Sequence, residues 1–181
     1  AFLRGHERRI MFGIVTGRTL SSALSVMSRH SLPRPDVLIT GLGTRIHYGA
    51  SLAEDRAWRD HIDQDWNRPK IERLLRDEPG LELQPRNCQS DFKLSYYLDT
   101  ARARSVDQLR STLHQHELTA NLILSFGQYL DTVPSRASKG QALRWAALRL
   151  DIPLQRILVA GGSGADEDLL RGNTLAVVVG H

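Results

Sequence analysis

Apolar residues follow two different patterns along the chain. Near the start, residues 10–15 form a continuous apolar run between polar neighbours, the signature of a strand covered on both faces of a parallel sheet. The run ends at Thr16-Gly17-Arg18, and Leu20, Ala23, Leu24 and Met27 then share one face of a helix predicted over 19–30. Pro33 and Pro35 stop that helix. Residues 37–39 read as the next strand, and Gly41 and Gly43 turn the chain into a hairpin strand at 45–48. This strand-helix-strand order marks an α/β core. Ahead of it, Ala1-Phe2-Leu3-Arg4 reads as the tail of a helix.

The middle of the chain changes character. Residues 58–66 and 71–76 are helix-patterned and separated by Pro69. Strict alternation from 92 to 98 sets Phe92, Leu94, Tyr96 and Leu98 on one face and Lys93, Ser95 and Tyr97 on the other. A helix over about 104–116 and strands at 122–125 and 129–133 complete a half-buried sheet with helices. The first pattern resumes at Ser138, a natural N-cap for a helix whose apolar face carries Leu143, Trp145, Ala146 and Leu150. A buried strand at 157–160, a glycine-rich turn at 161–166, a short helix to about Arg171 and a strand at 175–179 follow. The expected fold is α/β: a Rossmann-like parallel-sheet core from 1–48 and 134–181, with an α+β cap inserted at 49–133.

Composition narrows the class. Forty-one per cent hydrophobic and 24% charged residues are ordinary for a globular chain of 181 residues, long enough to bury a core without staples. A single cysteine, Cys88, excludes an internal disulfide framework and Cys-rich zinc sites, and fits a reducing, cytoplasmic setting. No apolar run suits a membrane span. The net charge of +4 and pI near 9.6 raise the possibility of nucleic acid. The basic residues are interleaved with acids, however, as in the run from Glu54 to Asp60, which reads as a solvated face. No basic helix or aromatic stacking platform supports a nucleic-acid partner. The seven histidines, His47 among them, lack metal-ligand spacing and are expected at the surface.

Three elements sit where parallel strands end, which is where open α/β sheets place ligands. Thr16-Gly17-Arg18 offers a hydroxyl and backbone N–H groups at a helix start, suited to a phosphate oxygen. Lys139 brings an ammonium just inside another helix. Residues 161–166 form a turn whose amides can face an anion and whose Asp166 can meet a cation. Each alone is also what a plain capped turn or a solvated lysine looks like; the order and placement of all three argue for a phosphoryl site. On the alternating strand, Lys93, Ser95 and Tyr97 are candidates for a sugar, with Arg86, Gln89 and Gln128 behind them, although an outward polar row is commonly plain solvent face.

Taken together, these motifs resemble those of the haloacid-dehalogenase-type phosphatases, in the branch containing sucrose-phosphate phosphatase. Within that branch they are similar to the phosphatase-like C-terminal domain of bacterial sucrose-phosphate synthase. Residues 13–18 are similar to the second family motif, 138–143 to the third with its lysine, and 161–166 to the fourth; 35–44 and 91–97 also look like this branch. The resemblance implies attack on phosphorus by an aspartate of a first motif, with a second aspartate two residues on as acid and base. It further implies a phosphoryl group held by Thr16 and Lys139, and Mg²⁺ bound by acids of the first and fourth motifs. It implies sucrose 6-phosphate as ligand and, through the synthase, a glycosyltransferase domain of the same parent chain.

Two departures modify that expectation. No Asp-x-Asp-x-Thr precedes Thr16, so the chain is expected to begin after the nucleophile strand, with no catalytic nucleophile of its own. Gly162 stands where the family places a metal-binding Asp, and Ala165 where it places Asn. A Mg²⁺ site with few protein ligands loses a full charge by this change, so weak Mg²⁺ binding and negligible hydrolysis are expected, with Asp166 the remaining metal ligand. The alternative is a working Mg²⁺-dependent sugar phosphatase in which other residues replace the missing carboxylate.

Overall fold

The computed structural model describes residues 10–162 and 164–180; the helix tail read at Ala1–Arg4 and Ser163 of the glycine-rich turn lie outside them. Among the described residues, three sheets are formed. β1 (Gly13–Val15) runs parallel to β2 (Val37–Thr40), which pairs antiparallel with β3 (Arg45–Tyr48) and, through it, β4 (Ala53–Glu54). β9 (Leu158–Gly161) and β10 (Leu175–Val178) form a separate parallel pair. β5 (Leu81–Leu83), β6 (Leu94–Leu98), β7 (Asn121–Ser125) and β8 (Tyr129–Val133) make an antiparallel sheet in the order β5-β6-β8-β7. The helices are α1 (Leu20–Arg29), α2 (Arg56–Asp63), α3 (Arg68–Leu75), α4 (Val106–Gln115), α5 (Lys139–Arg149) and α6 (Glu167–Leu170). The α/β reading of the fold holds. Among the described residues, no helix is long and apolar enough to cross a membrane.

Local chemistry explains where the elements start and stop. β1 is three residues long, not the six of the apolar run, because its register sets Gly13 against Val37 and would set Met11 against Pro35, which has no N–H to continue the ladder. The Asp36 carboxylate instead accepts the Phe12 N–H at 2.8 Å. Pro69 does not separate two helices; it sits in the first turn of α3, where no N–H is needed, behind an N-cap in which Asn67 accepts the Lys70 N–H. Ser105 and Gln108 form a reciprocal capping box on α4.

Two apolar clusters hold the molecule together. One joins Ile39 and Ile46 of the first sheet and Leu42 of the turn between β2 and β3 to Trp58 and Ile62 of α2 and Ala142 and Ala146 of α5. The other packs Leu94, Tyr96 and Leu98 of β6 against Ile71 and Leu75 of α3 and Leu109 and Leu113 of α4. On α5 the buried face is made of Lys139, Gly140, Ala142, Ala146 and Ala147, while Leu143 and Trp145 are only partly covered. Small residues let this helix lie close to the strands.

The run from Glu54 to Asp60, read as a solvated face, contains the most heavily bonded carboxylate of the first cluster. Asp55 is buried; it accepts the Trp58 N–H, the Tyr48 hydroxyl and the Trp145 Nε1–H, each at 3.0 Å. Burial alone would raise its pKa, but these hydrogen bonds and the Arg149 charge hold it below the usual value. His47, expected at the surface, is buried on β3 with Nδ1 3.2 Å from the Leu52 carbonyl, and burial lowers its pKa. His61 stacks on Trp145; His6 and His181 lie outside the described residues. The strand at 157–160 is expected to be buried, and that at 175–179 follows it in the same sheet. Val159 is buried, but Leu158, Leu175 and Val178 are exposed, because among the described residues β9 and β10 pair only with each other.

Candidate functional site

A cleft of about 900 Å³ runs between the start of α1 and the antiparallel sheet. One wall is Gly17 and Arg18 followed by the outer face of α1, down to Ser22, Ser25 and Arg29. The opposite wall comes from Gln84, Asn87, Lys93, Tyr97, Tyr129 and Asp131, and Lys139 and Ala165 close the inner end.

The inner end is built by backbone contacts. The turn at Gly41, Leu42 and Gly43 has positive φ throughout (+59°, +62° and +93°). At Gly43 a side chain would collide with the Ser138 carbonyl, so glycine here brings β2 against the start of α5. From the other side, a Cβ on Gly140 would lie 2.5 Å from both the backbone oxygen and Oδ2 of Asp168, so α5 and α6 also meet backbone to backbone. The Ser138 hydroxyl accepts the Gln141 N–H as N-cap and donates to Asp168, which also accepts from Arg144 at 2.9 Å. Burial would raise the Asp168 pKa, but the bonds from Ser138 and Arg144 outweigh it and lower it.

Clamped in this way, Lys139 is 7% exposed and Asp166 9%, and the ammonium lies 2.6 Å from Oδ1 of Asp166. The same carboxylate accepts the Gly162 N–H at 3.2 Å. At Gly162 itself a Cβ would run into the Val179 carbonyl oxygen. Position 162 therefore has no room for a carboxylate in this arrangement. Asp166, the remaining metal candidate, is already engaged by an ammonium and an amide. Among the described residues no three His, Cys, Asp or Glu side chains converge as a metal cage. Among the described residues, this end of the cleft holds Asp166 in its pairing with Lys139 and gathers no set of carboxylates for a Mg²⁺ ion.

The predicted residues are distributed as follows. Gly17, Arg18, Lys93, Tyr97 and Lys139 face the one cleft. Thr16 sits one position back from the wall, and its hydroxyl accepts the Arg18 N–H at 3.2 Å. Ser95 lies fully buried beneath the sheet surface, not on it, donating to Asp131 at 2.5 Å with the Cys88 carbonyl 3.2 Å from the same hydroxyl. Lys93 Nζ is 3.5 Å from the same Asp131 carboxylate. Gln89 is consumed locally: its amide donates to the carbonyls of Gln84 and Ser95 and accepts the Ser95 N–H. Arg86 and Gln128 do not line the cleft.

Asp131 is the main residue that the sequence reading missed. The signal was present: alternation along 129–133 places Tyr129 and Asp131 on one face, and the register pairs them with Tyr97 and Ser95. With Lys93 as donor and Asp131 as acceptor side by side, the wall offers both partners that a sugar hydroxyl needs.

The whole chain, residues 1–181, matches the family model described as sucrose-6F-phosphate phosphohydrolase. It is 28% identical over 167 residues to the mannosylfructose-phosphate phosphatase of Agrobacterium fabrum, covering 92% of this chain and 67% of that protein. It is 30% identical to the probable sucrose-phosphatase 2 of Arabidopsis thaliana, covering 91% of this chain and 39% of that one, so it spans about two fifths of that plant relative. The sucrose-phosphatase of Synechocystis sp., solved in complex with sucrose and phosphate, superposes with a TM-score of 0.90 at 26% identity, over 98% of this chain and 72% of that one.

Proposed function

Because the chain belongs to the sucrose-6F-phosphate phosphohydrolase family, the sucrose-phosphate phosphatase branch of the haloacid-dehalogenase-like fold, we propose that its cleft binds a disaccharide phosphate of the sucrose 6-phosphate kind without hydrolysing it efficiently. Lys139 and the amide of Gly17 hold the phosphoryl oxygens at the inner end, with the Arg18 guanidinium at the mouth of the turn. Lys93, Asp131 and Tyr97 take the sugar hydroxyls on the opposite wall, with Ser95 orienting Asp131 from below. Thr16 shapes the phosphate turn through its hydrogen bond to Arg18. The Synechocystis relative, solved with sucrose and phosphate, supports a ligand of this class.

The observation that carries the reading is the contrast at the inner end. The ammonium of Lys139 persists in a buried, braced position, while the space at Gly162 is taken by the Val179 carbonyl. Mg²⁺ would supply the electrophile that a phosphatase of this family needs, and its seat requires carboxylates that this arrangement does not offer. Binding energy from the lysine, the amide and the sugar wall does not depend on the metal. The same reading makes the chain a phosphatase-like domain that works beside a glycosyltransferase domain of a sucrose-phosphate synthase, stabilising or regulating it. The gene sequence upstream of Ala1 tests that part.

The experiment is calorimetry of the protein with sucrose 6-phosphate, with and without Mg²⁺, paired with a phosphate-release assay. Binding that is indifferent to Mg²⁺, with no phosphate released, is the expected result. Metal-dependent release of phosphate would replace this reading with that of an active sugar phosphatase.

A further inference from the structure

The hairpin between β7 and β8 contains a residue in the wrong place for stability. The turn is closed by the Gln128 N–H donating to the Ser125 carbonyl at 3.2 Å. Its central residues, Phe126 and Gly127, both have positive φ, +53° and +66°. That combination belongs to type I′ turns, where Asn-Gly is favoured because asparagine tolerates the left-handed region. A bulky aromatic side chain there is strained.

No core contact accounts for the phenylalanine. Phe126 is 67% exposed. Nothing lies within 4 Å of where a Cβ on Gly127 would stand, so the tip is open. Among the described residues its ring neighbour is Tyr129, edge-on at 6.5 Å, and Tyr129 in turn lies 6.1 Å from Tyr97. All three rings line the same cleft as Lys139, Lys93 and Asp131.

A sugar ring is amphipathic: its hydroxyls point around the rim and its C–H groups present an apolar face. Lys93 and Asp131 serve the rim. We infer that Phe126, with Tyr129 and Tyr97, forms an aromatic ledge against which the apolar face of the sugar packs, so that Phe126 is a specificity-determining residue favouring a sugar phosphate over bare phosphate. The strained turn keeps the ring at the cleft instead of folding it into the core. This deepens the sugar-phosphate reading and rests on it.

The test is Phe126→Asn in the full chain, with Phe126→Tyr as the conservative control. Calorimetry measures affinity for sucrose 6-phosphate and, separately, for inorganic phosphate; thermal unfolding is followed in parallel. Asn suits the turn, so its Tm should rise by about 2–4 °C. Its affinity for sucrose 6-phosphate should fall about tenfold, with affinity for inorganic phosphate unchanged, and Phe126→Tyr should restore the sugar-phosphate affinity. An Asn variant that binds sucrose 6-phosphate as tightly as the parent, or that weakens both ligands equally, overturns the ledge while leaving the broader reading intact. A parent protein that binds neither ligand removes the broader reading, and the ledge with it.

Discussion

Gly140→Ala tests whether backbone contact between α5 and α6 builds the inner end of the cleft, because two well-known effects oppose each other at this position. Replacing glycine with alanine inside a helix ordinarily stabilises by up to about 1 kcal/mol, through propensity and the loss of unfolded-state freedom. Here the new methyl would stand 2.5 Å from both the backbone oxygen and Oδ2 of Asp168 and 2.7 Å from its carbonyl carbon. Side chains swing away from such a clash cheaply, but a backbone carbonyl does not, so α6 must move. Overpacking of this kind costs about 1–3 kcal/mol. The displacement also loosens the Ser138–Asp168 bond, a charge-assisted hydrogen bond worth roughly 1.5–3 kcal/mol. Clash and lost bond outweigh propensity, and the variant should be destabilised by about 2 kcal/mol. For a chain of this length that is a fall in Tm of about 4–8 °C. Urea unfolding followed by circular dichroism gives the sign directly, and phosphate binding should weaken alongside because Asp166, at the start of α6, shifts with that helix and takes its pairing with Lys139 out of place. A Gly140→Ala protein more stable than the parent would refute the close approach of α5 and α6, and with it the account of how Lys139 is held.

Lys139→Met should abolish binding of inorganic phosphate in calorimetry and lower stability by about 3 kcal/mol, because it strips the ammonium from a buried carboxylate at Asp166. Asp55→Ala leaves the Trp58 amide, the Tyr48 hydroxyl and the Trp145 indole without their acceptor, and should cost about 3 kcal/mol in urea titrations. Hydrogen bonds from Arg104 hold the Glu78 carboxyl below its ordinary 4.5. A depressed folded-state pKa gives stability that is present above about pH 4.5 and lost as pH falls through the lower folded value. Urea midpoints measured from pH 6 down to pH 2 should therefore fall more gently in Glu78→Gln than in the parent.

Much of this molecule is legible from its residue pattern, and the gaps have physical causes. Apolar runs and alternation locate β2, β3, β6 and β8 because each buries one face against helices, which ties pattern to structure. β4 and β5 escape because two or three residues held by a neighbouring strand need no pattern of their own. The start of β1 was set by a proline on the partner strand, a constraint visible only once the register is known. Composition misread Asp55: a run rich in alternating charges looks solvated unless one knows that an indole, a phenol and an amide converge on one carboxylate. Gly17, Arg18, Lys93, Tyr97 and Lys139 line the cleft from strand ends or one strand face, positions that the residue pattern marks. Ser95 could not be told from its neighbours, since alternation gives the side of a sheet but not the depth at which a short hydroxyl stops. Asp131 and Phe126 needed the β6–β8 register and the backbone of the turn.

The charges along the cleft bear on why Gly162 and Lys139 occur together. Among the described residues, Arg18, Arg29, Lys93 and Lys139 line it, against the carboxylates of Asp131 in the wall and Asp166 bonded to Lys139, so four positive groups face two negative ones. A phosphate monoester carries roughly −1.5 to −2 at neutral pH, which brings the occupied cleft close to neutrality with no further ion. An aspartate at 162 would shift that balance by one negative charge and leave the bound state in need of a cation. Low-dielectric clefts tolerate uncompensated charge poorly, so the two arrangements are alternatives: a carboxylate with a divalent ion, or neither. The Val179 carbonyl, which fills the space a side chain at 162 would need, favours the second under the binding-only reading proposed above. Restoring the carboxylate alone, as in Gly162→Asp, should accordingly lower both stability and phosphate affinity, and Mg²⁺ should not recover either until the Val179 strand end is moved as well.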